Sequence, residues 1–73
     1  MKTIIPKDAS QLSQLRIYLD EKGDISPAEA REVMGIQRLA ARIEELRRSG
    51  LSIRTVMKRT LRGQRYTRYY LEQ

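Results

Sequence analysis

Arginine dominates the reactive side chains of this sequence: eleven arginines and four lysines face nine acidic residues. Their placement is uneven. From Met1 to Ile36 five basic residues meet six acidic ones, a balance of −1, whereas from Gln37 to Gln73 ten meet three, a balance of +7. The run from Ser52 to Leu71 contains no acidic residue. A guanidinium is planar and always charged, and its donors form a fork matched to phosphate oxygens and to guanine O6 and N7. An arginine-rich half beside a near-neutral half therefore reads as a cationic working surface on a scaffold, with polyanion recognition as its chemistry.

Bond-making chemistry has less to work with. The sequence has no His and no Cys, which removes the commonest general base, the commonest metal ligand and any disulfide or thiolate site. Scattered Ser, Asp and Glu come with no base to activate a nucleophile. The expectation is a non-enzyme with no metal, cofactor or small-molecule substrate. At 73 residues the chain holds one domain with a small core. No apolar run approaches the roughly 18 to 20 residues of a membrane span. Met1-Lys2-Thr3-Ile4-Ile5-Pro6 lacks the core of a signal peptide, and a cytoplasmic protein is expected.

The elements that must carry these cations are marked by caps and stops. Residues 1–7 read as an arm, in which Ile4 and Ile5 either add a short strand or pack on the first helix; residues 8–73 read as the domain. Asp8 or Ser10 caps a helix running to about Glu21, with Leu12, Leu15, Tyr18 and Leu19 on one face and Gly23 at its stop. Ser26-Pro27-Ala28-Glu29 is a capping box with proline at the first helical position. Ile25 is placed to staple onto that helix, and Ala30, Val33 and Met34 to face the core. Met34-Gly35-Ile36 turns the chain. A third helix then runs from Gln37 to Arg48, with Leu39, Ile43 and Leu46 (and Ala40) in one stripe and Ser49-Gly50 as its stop. Two helices joined by a short turn containing Gly form a helix-turn-helix.

After Gly50 the period changes to two. Leu51, Ile53, Thr55 and Met57 alternate with Ser52, Arg54, Val56 and Lys58, as in a half-buried strand. Arg62-Gly63-Gln64 supplies a tip, and Tyr66 to Leu71 return with Tyr69 and Leu71 toward the core. The expected architecture is α+β, mainly α: three helices followed by a two-stranded β-hairpin wing.

On the third helix, Gln37, Arg38, Ala41, Arg42, Glu45 and Arg48 fall outside the apolar stripe. An amphipathic helix with solvated charges has this look, but the capped helix-turn-helix setting and the charge asymmetry favour base readout in the major groove. Arg38 and Arg42 reach guanine or phosphate, Gln37 matches adenine, and the Ala41 methyl suits thymine. Glu45 either accepts from cytosine or, preferably, orients Arg42, Arg48 or Arg38. Arg42 has a structural alternative, a pair with Glu29 or Glu32. The wing adds Arg54, Lys58, Arg59, Arg62, Arg65 and Arg68, suited to the backbone or to a narrow minor groove.

The runs Ile25-Ser26-Pro27-Ala28-Glu29-Ala30, Met34-Gly35-Ile36-Gln37-Arg38-Leu39-Ala40-Ala41-Arg42-Ile43, Glu45-Leu46-Arg47-Arg48-Ser49-Gly50-Leu51-Ser52-Ile53 and Arg68-Tyr69-Tyr70-Leu71 resemble the small winged helix-turn-helix domains of phage and prophage proteins. The likeness covers about Leu12 to Leu71. It implies a winged-helix fold and binding to double-stranded DNA. The leading expectation is a sequence-specific transcriptional regulator, such as a repressor, acting as a homodimer or assembling cooperatively on DNA. Three alternatives stay open: an architectural or excision-type recombination factor, a winged helix that docks an acidic protein, and a binder of single-stranded RNA through the wing, whose Tyr66 and Tyr70 interleave with arginine.

Overall fold

The computed structural model describes residues 10–72. The arm with Ile4 and Ile5, and the capping candidate Asp8, lie outside the described residues. The element order is α1 (Gln11–Lys22), β1 (Asp24–Ile25), α2 (Pro27–Met34), α3 (Leu39–Arg48), β2 (Ile53–Arg59) and β3 (Arg65–Leu71). The strands form one antiparallel sheet in the order β1-β3-β2. Three helices with a β-hairpin make the small α+β winged-helix architecture that the patterning implies.

Each helix boundary follows from local chemistry. Ser10 caps α1 by accepting from the Ser13 N–H at 3.2 Å, and Gly23, at φ +86°, donates its N–H to Leu19 O. At α2, Ser26 Oγ accepts from the Glu29 N–H at 3.3 Å and donates to Glu29 Oε1 at 3.0 Å. Gly35, at φ +67°, ends that helix. The third helix begins at Leu39, two residues later than its periodicity suggests. Ile36 is used as a plug, almost wholly buried between the helices. Gln37 and Arg38 then complete the turn, with Arg38 at φ −123° and ψ 74° as the N-cap residue.

The core joins Leu15, Tyr18 and Leu19 of α1, Ala30 of α2, and Leu39, Ile43 and Leu46 of α3 to Ile25, Ile36, Ile53 and Tyr69. Fully burying each large aliphatic side chain contributes about 1.5 to 3 kcal/mol. The most buried are Leu15, Leu19, Ile25, Ile36 and Ile43. Four residues expected inside lie outside: Val33 is 52% exposed and Met57 60% exposed, and Ala40 and Thr55 are also exposed. The two strand residues fail for one reason. The hairpin leaves the helices after Ile53, so alternation continues along β2 with nothing for its inner face to cover.

Strand β1 was not legible as a strand, because two residues carry no period. Ile25 pairs with Tyr69 and Asp24 with Tyr70, so the staple position is also a buried strand position. The hairpin β2–β3 runs in register from Ile53 opposite Leu71 to Arg59 opposite Arg65. Its turn is closed by the Gly63 N–H donating to Thr60 O and the Thr60 N–H donating to Gln64 O, each at 2.9 Å. Gly63 sits at φ +85°, the left-handed position of a three-residue hairpin loop.

Candidate nucleic-acid interface

Helix α3 buries Leu39, Ile43 and Leu46, which turns the face centred on Ala41 and Arg48 outward. Ala40 and Ala41 are both exposed. Their small side chains let another surface approach the helix axis closely. Gln37 and Arg38, expected in the first turn of the helix, stand instead in the exposed turn before it. They still flank the N-terminal end, which in a helix-turn-helix points toward base edges. No side chain caps that end, and its first turn holds no acidic residue. Its leading backbone N–H groups therefore face outward with a partial positive charge.

Both carboxylates of α3 are engaged. Glu45 holds Arg42 at 2.7 Å, and Glu44 holds Arg47 at 2.6 Å. Arg42 thus pairs within its own helix rather than with Glu29 or Glu32. Arg38 and Arg48 have no ion pair among the described residues and remain exposed.

Arg47 has a role that no local pattern in the sequence singles out. Its Nε and Nη2 donate to Ile53 O at 3.1 and 2.7 Å, and Nη2 also donates to Thr55 Oγ1 at 2.9 Å. One guanidinium therefore ties the C-terminal end of α3 to the start of β2 and sets the angle between helix and wing. Only the fold reveals this, since any exposed Arg after a Glu three positions earlier looks like a helix-surface pair.

The six wing cations separate into three groups. Arg59 and Arg65 face each other on the last rung of the hairpin and Arg62 sits in the turn, all exposed. Arg54 and Lys58 lie on the other face, each 5.5 Å from the centre of the Tyr70 ring. Arg68 is turned into the fold: it meets Asp24 at 3.2 Å and Glu29 at 2.5 Å. Glu29 also accepts from the Tyr18 hydroxyl at 2.9 Å. This cluster joins α1, β1, α2 and β3, so Arg68, expected among the wing contacts, has a structural role in the fold. Burial works against the Arg68 charge, but hydrogen bonds to Asp24 and Glu29 outweigh it and push its pKa up. Burial first, then the Glu29 carboxylate, raises the Tyr18 phenol above its ordinary value.

Three helices followed by a β-hairpin define the winged helix-turn-helix class. Residues 10–73 match the family described as the winged helix-turn-helix domain, and the chain belongs to that family. No curated protein and no solved structure matches the chain. Membership supports DNA binding in general. No helix among the described residues is long and apolar enough to cross a membrane.

Proposed function

We propose that the protein is a sequence-specific binder of double-stranded DNA that acts as a transcriptional regulator of phage or bacterial type in the cytoplasm. The observation that carries this reading is the division of its arginines. Arg42, Arg47 and Arg68 are held by carboxylates, while Arg38, Arg48, Arg59, Arg62 and Arg65 stand exposed at the end of α3, on its outward face and at the wing tip. The outward face of α3, opened by Ala40 and Ala41, enters the major groove, whose width admits one helix. The wing tip lies on the adjoining backbone, where each contact adds affinity without sequence information. Two copies bind half-sites about one helical turn apart.

Affinity for a random-sequence duplex should fall steeply with salt. With about 4 to 7 phosphates neutralised per protomer, the log–log slope is about −0.9 per phosphate. A flat response between low and moderate salt, measured by fluorescence anisotropy, would reject the reading. Selection from a random DNA pool then gives the preferred site and its half-site spacing.

On that site, Arg38→Ala and Gln37→Ala should each cost about 1 to 3 kcal/mol and relax base choice at one position. Equal loss on preferred and random duplexes would instead place these side chains on phosphate.

A further inference from the structure

Strand β3 has an edge that no described residue covers. The Leu71 N–H donates to Gly23 O, and the Glu72 N–H donates to Ser52 O. In an antiparallel sheet the backbone groups alternate sides. Odd-numbered residues of β3 therefore turn their N–H and C=O toward β1, and even-numbered ones toward β2. Ile25 covers Tyr69. The next partner in that register, opposite Thr67, would be Pro27, which has no N–H and already begins α2. The outward N–H and C=O of Thr67 and Arg65 consequently meet no described residue.

This edge forms one wall of a groove of about 590 Å³, and the start of α2 forms the other. Pro27 and Ala28 give that wall an apolar surface, and Arg31 and Arg65 rim it, both exposed and without an ion pair among the described residues.

We propose that this groove takes up an extended acidic segment of a partner protein, which adds to β3 as a further strand and sets its carboxylates on Arg31 and Arg65. An extended peptide is the ligand whose backbone matches alternating donors and acceptors, and pockets beside the edge supply selectivity. A phosphate would meet the donors but be repelled by the outward carbonyls. A second copy of this chain is disfavoured, because edge-to-edge pairing would bring arginine against arginine. Soluble proteins usually cover or blunt such an edge; here like charge protects it until a partner of opposite charge arrives. At about 3.3 Å per residue, the free stretch beyond Tyr69 holds a segment of about four to five residues.

The test uses the full chain and a fluorescein-labelled peptide, Glu-Val-Asp-Val-Glu, with Lys-Val-Lys-Val-Lys as control. Duplex DNA binding is measured on the same samples. Thr67→Pro removes the outward N–H, together with an exposed contact from Thr67 Oγ1 to Met57 Sδ across the hairpin, at an edge position where proline is tolerated. It should weaken the acidic peptide by about 10-fold or more and leave duplex affinity within about twofold. Arg31→Glu should weaken the peptide by a similar factor, and it carries the test if Thr67→Pro does not fold. Absence of saturable binding, equal binding of the lysine peptide, or unchanged affinity in the soluble, folded variants overturns the proposal. Loss of duplex but not peptide affinity in Arg31→Glu also overturns it, since the groove would then hold the DNA backbone. None of these peptide outcomes depends on whether α3 reads DNA.

Discussion

Replacing Glu29 by Ala is expected to lower the unfolding free energy by about 2 to 3 kcal/mol. The carboxylate accepts from the Tyr18 hydroxyl at 2.9 Å and from Ser26 Oγ at 3.0 Å, and it meets the Arg68 guanidinium. Removing it leaves a phenol and part of a guanidinium without acceptors where four elements meet. A domain of this length has roughly 4 to 11 kcal/mol in total, so the midpoint of thermal unfolding should drop by about 10 to 20 °C. Glu29→Gln keeps an acceptor and should cost about half as much. Arg68→Ala should give a loss of the same order, as an unfolding effect rather than a binding defect at temperatures where the fold persists. A midpoint shift below about 2 °C in circular dichroism would show that solvent screens the cluster like a surface ion pair.

The same carboxylate sets a pH dependence. Burial pushes the Glu29 pKa up, but hydrogen bonds from Tyr18, Arg68 and Ser26 outweigh this and hold it below the ordinary value of 4.5. A depressed folded pKa means that the unfolded chain binds the proton more tightly. The contribution is therefore present above the unfolded value and lost as pH falls through the folded one. The urea midpoint should decline below about pH 4.5, and Glu29→Gln should flatten that decline.

Replacing Arg62 and Arg65 together by Ala is expected to weaken binding to every duplex by about 10- to 100-fold and to make the salt slope shallower by about two units. Both side chains are exposed at the tip beside Gly63, whose turn is held by backbone hydrogen bonds. The fold should therefore survive. Unchanged affinity would make the wing a structural hairpin. Loss confined to the preferred site would mean that the wing reads sequence, with a guanidinium in the minor groove. Arg68 is excluded from this set, because its loss would be read through the Glu29 cluster.

The sequence by itself determined the elements whose signals sit in neighbouring residues. Ser26-Pro27-Ala28-Glu29 starts a helix, Gly23 and Gly35 stop helices in the left-handed region, and the change of period after Gly50 marks the hairpin. Capping and turn formation involve backbone groups within a few positions, so the residues that decide them are adjacent. The charge asymmetry was equally legible, since it needs only counting.

Tertiary structure alone decided what depends on residues distant along the chain. Arg68 looked like every other wing arginine, and its role is set by Asp24, 44 positions away. Ile25 became a strand residue because Tyr69 lies beside it. Val33 and Met57 satisfied their local periods and still face solvent, because period tells which residues share a face and not whether another element covers it. The later start of α3 has the same origin: burying Ile36 between helices takes Gln37 and Arg38 out of the helix. The edge of β3 that no described residue covers arises from the register that sets Pro27 opposite Thr67, and register is a property of two strands brought together, which neither carries alone.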